Sequence, residues 1–237
     1  MSDNYRVKAW CDYQEFALEL LKGSKVTKWD KMLREMFKNS SNIRTIESGT
    51  MWYKARDHKN ENEEPYDKKN IGMNKKGHAE IGRCNKEGQS LFYLSDNIDT
   101  TIMEIKTKEK YVSVGKWYTT ASKRVADAIN FMMTDSKSIF GGFESDYARY
   151  FYMLMIENHF TKKEENGINI YPITSHVANI LLELDLDGIR YRSVYNENVN
   201  IALVSDNDME WKETTKYYSD NNFYTSTEIL TLYPESN

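Results

Sequence analysis

The stretch from Gly82 to Lys106 constrains this chain more than any other. Gly82-Arg83-Cys84-Asn85-Lys86-Glu87-Gly88 is a polar turn with a glycine at each end, where positive φ or close backbone approach is tolerated. Leu91-Phe92-Tyr93-Leu94-Ser95 is β-prone and mostly apolar, so a strand is expected there. Ser95 or Asp96 can cap a helix after that strand, and Ile98, Ile102 and Ile105 recur at helical spacing, which turns one side of a short helix toward a core. Glu104 lies about 100° around that helix from Ile105, on the margin of the apolar face. A carboxylate there is either a solvated rim group or a functional one.

On the N-terminal side, residues 1–48 read as two amphipathic helices. Tyr13, Phe16, Ala17, Leu20 and Leu21 form one stripe; Met32, Leu33, Met36 and Phe37 form the other. This segment is expected to cap the main domain, or to dock a partner or cover a substrate. From Asp57 to Asn70 there is no aliphatic side chain, so a long loop is expected directly after Arg56. On the C-terminal side, Tyr111 to Tyr118 alternates like a strand, and Val125, Ala128, Ile129, Met132 and Met133 follow a helical period. Further helices are expected around Tyr147, Phe151, Leu154 and Met155, after the acids Glu144 and Asp146, and from Tyr171-Pro172 to Leu184. Strands from Ile189 to Val194 and from Val199 to Val204 flank a hairpin turn at Asn196-Glu197-Asn198. Beyond Asp206 the chain is polar, and its end from Thr225 reads as an extended tail or a loose edge strand. Strands and helices interleaved this irregularly predict an α+β domain.

Composition excludes several functions. A net charge of -4 and a pI near 5.7 disfavour a general nucleic-acid binder, which needs a basic face. With mean hydropathy -0.74 and no long apolar run, no membrane span is expected. Cys11 and Cys84 have no paired spacing and read as two reduced thiols of a cytoplasmic protein. The four histidines are scattered and Phe140-Gly141-Gly142-Phe143 is not a dinucleotide fingerprint, so neither a metal nor a Rossmann-type cofactor is expected.

Four motifs in order resemble the RES-domain family, named for an arginine, a glutamate and a serine. Met51-Trp52-Tyr53-Lys54-Ala55-Arg56 is similar to the family's hydrophobic-Tyr-Arg strand, with Arg56 as the candidate arginine. Gly82-Arg83-Cys84-Asn85 and the Leu91–Ser95 strand, with Glu104 eleven positions after Tyr93, resemble its central motif. Asp187-Gly188-Ile189-Arg190-Tyr191-Arg192-Ser193 resembles its Asp-Gly-Ile-x-Tyr-x-Ser strand, and 171–184 the preceding helix. Cys84, Lys86 and Ser175 depart from the family's usual residues, changing turn shape and packing more than charge. The resemblance spans roughly residues 50–205 and divides the chain into a helical segment, 1–48, and a RES-like catalytic domain, 49–237, with a polar C-terminal tail.

The resemblance implies a fold similar to that of ADP-ribosyltransferase toxins. It also implies degradation of NAD at the nicotinamide–ribose bond by hydrolysis or phosphorolysis, with NAD as substrate and no cofactor. Such a reaction passes through an oxocarbenium-like ribose that a carboxylate stabilises, and guanidinium groups match a diphosphate bidentately. Arg56, Tyr93 and Glu104 are the candidate catalytic residues, and Arg83 and Ser193 the candidate substrate-binding ones. Tyr93 can stack on nicotinamide or bond through its hydroxyl. Ser193 can donate to phosphate, ribose or carboxamide without acting as a nucleophile. The same resemblance implies a toxin or defence effector held by a cognate antitoxin or immunity protein, with self-association an open alternative. ADP-ribosyl transfer to a macromolecule, or a catalytically silent nucleotide-binding module, also fit the residues.

Overall fold

The structure is a computed structural model that describes residues 3–38, 43–60, 62–75, 77–105, 108–129, 139–140, 143–156, 169–219 and 226–234. It is an α+β architecture built on a mixed sheet, with nine strands in that sheet among the described residues. The strands are β1 (Ile43–Ile46), β2 (Met51–His58), β3 (Phe92–Ser95), β4 (Tyr111–Thr119), β5 (Lys123–Asp127), β8 (Gly188–Arg192), β9 (Val199–Leu203), β10 (Met209–Ser219) and β11 (Ser226–Leu232). A short hairpin apart from the sheet contributes β6 (Ile139–Phe140) and β7 (Phe143–Glu144). The sheet order is β1-β5-β8-β9-β3-β2-β4-β10-β11, with every pairing antiparallel except β5 with β8. Its middle is a seam: β2 and β3 meet through Tyr53 and Ser95 alone among the described residues, whereas β2 pairs with β4 along its whole length.

Six helices among the described residues accompany the sheet: α1 (Asp3–Leu21), α2 (Thr27–Lys38), α3 (Lys68–Ile71), α4 (Ile98–Glu104), α5 (Ser145–Met155) and α6 (Tyr171–Leu182). Both N-terminal stripes face the core as expected, with Ala17 and Leu20 half-buried and Leu21 exposed. Tyr13, Phe16, Met32, Leu33, Met36 and Phe37 share one core with Phe151 of α5, Val177 and Ile180 of α6, and Ile189 and Ala202 of the sheet. Polar clamps reinforce that contact: His176 Nε2 lies 2.7 Å from Asp30 Oδ1, and Arg34 Nε donates to Glu183 at 2.7 Å. α1 and α2 are therefore packed onto α6, the helix that begins at the site.

In place of the helix expected from Val125, the chain forms β5, which ends at Asp127 just before Ala128 and Ile129, and Met132 and Met133 lie outside the described residues. Val125 packs into the core on one side of the sheet and Ala126 into the core on the other. A strand covered on both faces loses the apolar–polar alternation that would mark it. The cap of α4 is Asn97, not Ser95 or Asp96; its side chain accepts the Thr100 N–H at 3.0 Å.

The loop after β2 is tied to the sheet although it lacks aliphatic residues. Tyr66 stacks on His58 with ring centroids 4.2 Å apart, and Ile71 is fully buried. Glu63, which can only accept, takes the Nδ1–H of His58 at 3.0 Å, while Nε2 lies 2.6 Å from Ser113 Oγ. The Ser113–His58–Glu63 line has the connectivity of a nucleophile relay. Ser113, however, is fully buried and its oxygen already accepts the Tyr66 N–H, so the line is a clamp.

Candidate active site

A cleft of about 210 Å³ opens along the seam between β2 and β3. β2 contributes Lys54 and Ala55, the glycine turn Gly82 and Arg83, and β3 the segment Tyr93 to Ser95. α4 adds Thr101 and Glu104, α6 adds Tyr171, and β8 and β9 add Tyr191 and Asn200.

Glu104 is the last residue of α4, and two side chains from elsewhere in the chain fix it. Its Oε1 accepts from Ser193 Oγ at 2.8 Å and from Asn200 Nδ2 at 2.7 Å. Ser193 Oγ in turn accepts the Tyr195 N–H at 3.2 Å. One helical turn earlier, Thr100 Oγ1 accepts from Asn196 at 2.8 Å and from Asn198 at 2.7 Å, so the face of α4 that carries the acid also holds the β8–β9 turn. Charge-assisted bonds from two neutral donors hold the carboxylate without cancelling its charge.

Arg83 is buried, with its guanidinium carbon 5.8 Å above the Tyr191 ring. The turn that presents it is buttressed by Tyr93, whose hydroxyl donates to Asn85 Oδ1 at 2.7 Å and accepts the Cys84 N–H at 2.9 Å. Gly82 is required there, because a Cβ would sit 2.5 Å from Asn85 Oδ1 and 3.0 Å from the Tyr93 hydroxyl. Burial pushes the Tyr93 hydroxyl well above its ordinary range. With both hydrogen-bonding directions engaged, Tyr93 offers the cleft its ring and not its oxygen. Burial likewise pushes the Cys84 thiol up to about 12, against the opposing pull of Arg83, so no thiolate nucleophile forms there.

Arg56 does not join this constellation. It is half-buried at the far end of β2, does not line the cleft, and donates to Asn74 Oδ1 at 2.6 Å. The β2 cation in the cleft is Lys54, 9% exposed, with no carboxylate at ion-pair distance among the described residues. Burial first, then the neighbouring Arg56, pushes its ammonium down to about 8, with Asp206 pulling the other way. A signal for Lys54 was present in the sequence: in a hydrophobic-Tyr-Arg pattern the residue directly after Tyr53 holds the arginine's place. Asn200 carried no such signal, since it sits in an apolar strand.

A family-level comparison matches the RES domain over residues 51–216. The chain belongs to the RES-domain family. Its RES match takes in the β2 strand, the glycine turn, α4 and the β8–β9 pair, so every cleft residue named above lies inside it. Among solved structures, the RES-family chain is similar to a chain in the crystal structure of the M. tuberculosis MbcT–MbcA toxin–antitoxin complex. That match has 11% identity and a TM-score of 0.46, and covers 78% of this chain and 91% of the other. No curated protein matches. Among the described residues, no cluster of three or more His, Cys, Asp or Glu could hold a metal ion, and no helix is long and apolar enough to cross a membrane.

Proposed function

We propose that this RES-domain protein degrades NAD by cleaving the bond between nicotinamide and ribose. The observation that carries the reading is the fixed carboxylate of Glu104 in one cleft with the cations Arg83 and Lys54. Glu104 accepts from a ribose hydroxyl and stabilises the positive charge that develops on the sugar as nicotinamide leaves. Arg83, and Lys54 in place of Arg56, attract the diphosphate; Ser193 and Asn200 orient the acid, and the rings of Tyr93 and Tyr171 wall the nicotinamide. At about 210 Å³ the cleft is smaller than the roughly 300–1,000 Å³ that encloses a drug-sized ligand. It therefore takes the nicotinamide riboside end, with the adenosine on the open side.

The test is incubation of purified protein with NAD, with and without inorganic phosphate, then quantification of nicotinamide. Release in both conditions means water is an acceptor, and release that requires phosphate means phosphorolysis. Label transferred from NAD to a protein or nucleic acid identifies an ADP-ribosyltransferase, and no nicotinamide in any arm refutes the reading. The reading extends to a toxin restrained by a cognate antitoxin: co-expression with the inhibitor's gene is expected to relieve growth arrest caused by the active chain.

A further inference from the structure

Among the described residues that wall the cleft, Asn200 carries a buried polar atom with no partner. Asn200 is 2% exposed, and its Oδ1 makes no hydrogen bond among the described residues. The orientation of this amide is fixed by chemistry: the atom 2.7 Å from Glu104 Oε1 must be the donor Nδ2, since a carboxylate accepts and a carbonyl cannot donate to it. Turning the amide over would set two acceptors against each other. Oδ1 is therefore held as an acceptor, in a residue that lines the cleft beside the carboxylate. An unsatisfied buried carbonyl is destabilising, so its retention at a site wall points to a ligand donor that completes it.

We propose that Asn200 Oδ1 accepts a hydrogen from a ribose hydroxyl of the substrate, adjacent to the hydroxyl taken by Glu104, so that Asn200 both contacts the sugar and sets the acid. The inference rests on the NAD-cleaving reading above. Within it, the two acceptors match the vicinal hydroxyls of a ribose, one for the carboxylate and one for the amide. Each hydroxyl can donate one hydrogen, and both acceptors lie on groups already locked to each other. Within the nicotinamide riboside end that the cleft takes, a carboxamide N–H is the other class of donor, and the experiment separates the two.

The probes are ADP-ribose, which has the sugar without the carboxamide, and nicotinamide, which has the carboxamide without the sugar. Dissociation constants are measured at pH 7 and pH 5 for the parent, Asn200→Ala and Asn200→Asp, with cooperative thermal unfolding recorded for each. Asn200→Ala is expected to weaken ADP-ribose about tenfold at both pH values, the worth of one hydrogen bond, and to leave nicotinamide unchanged. Asn200→Asp separates loss of the bond to Glu104 from loss of the fold. At pH 7 two facing carboxylates repel and ADP-ribose binding drops at least as far. At pH 5 one shared proton takes over the donation to Glu104 and leaves the introduced carboxyl an acceptor, so the ratio to the parent returns toward one. Should Asn200→Ala not fold, the Asn200→Asp ratio alone decides. Parent-like ADP-ribose binding by Asn200→Ala, an Asn200→Asp ratio that ignores pH, or a loss confined to nicotinamide overturns the assignment. A parent that binds ADP-ribose yet releases no nicotinamide from NAD instead removes the functional reading beneath it.

Discussion

Lys54 gives a prediction whose size is set by its surroundings. An ammonium that titrates near 8 in the folded chain and near 10.5 when unfolded is worth about 3 kcal/mol against folding while both states are protonated. Proton counts give the sign. Between about pH 8 and 10.5 the unfolded chain binds more protons than the folded one, so stability rises with pH across that window and the penalty is fully present below it. Lys54→Met keeps most of the side-chain volume and removes the charge. It should raise stability at pH 7 by about 3 kcal/mol, roughly 6–12 °C in Tm for a chain of this length. The advantage should shrink to about half by pH 9.5. Urea denaturation of both proteins at the two pH values measures it. A variant that is less stable than the parent at pH 7, or an advantage that does not change with pH, refutes the account of Lys54 as a buried cation without a carboxylate partner, its ammonium 5.2 Å from the centroid of the Phe92 ring.

A destabilising charge at a cleft wall has a use if the substrate supplies the missing anion. The parent should bind ADP-ribose more weakly as pH rises from 7 to 9.5, by up to about thirtyfold if only the charged form of Lys54 binds it. Lys54→Met should bind it weakly and without that pH dependence. The same variant thus separates stability gained from affinity lost, which a simple packing effect would not do.

Glu104→Gln keeps an acceptor for Ser193 and Asn200, so the fold should persist while NAD turnover drops at least 10²-fold; a rate within about tenfold of the parent would remove Glu104 from the chemistry. Arg83→Lys should raise KM for NAD more than Arg56→Lys, because Arg83 lines the cleft and Arg56 is bonded to Asn74 outside it; the opposite ranking in steady-state kinetics would return Arg56 to the site. Gly82→Ala should cost about 1–3 kcal/mol, because the new methyl displaces Asn85 from Tyr93; an unchanged melting temperature would show that the turn does not depend on that bond.

The parts of the fold legible in the sequence were those written in local chemistry. The glycine turn, β3 and α4 arise from backbone permissiveness, β-propensity and a three-to-four-residue apolar spacing, and all stand where they were expected. β10 was not legible. It runs for eleven residues beside β4, yet buries Thr214, Thr215 and Lys216, so its composition reads as surface. What makes it a buried strand are partners far away in sequence: Thr231 beside Thr215, the Glu63 carbonyl for the Lys216 ammonium, and Ser113 to Tyr118 along β4. The site divides in the same way. Glu104, Ser193, Arg83 and Tyr93 come together because each lies in a motif with its own local signature. The choice between Lys54 and Arg56 depends on how far along β2 the strand reaches the seam, a distance that propensity does not encode.

That seam also explains why the cleft lies where it does. A continuous sheet satisfies its backbone groups and leaves no room between neighbouring strands, but β2 and β3 share a single residue pair at Tyr53 and Ser95. Beyond that pair the backbone of β2 turns to α4 for support, and the Ala55 N–H donates to Thr101 Oγ1 at 3.0 Å. The helix that replaces the missing ladder is the one ending in Glu104. Restoring an apolar side chain at Thr101, as in Thr101→Val, would leave the Ala55 N–H without an acceptor beside the acid. The cost is expected at about 1–3 kcal/mol in denaturation, together with a fall in turnover as α4 shifts, and a variant that loses neither shows that the seam does not need this bond.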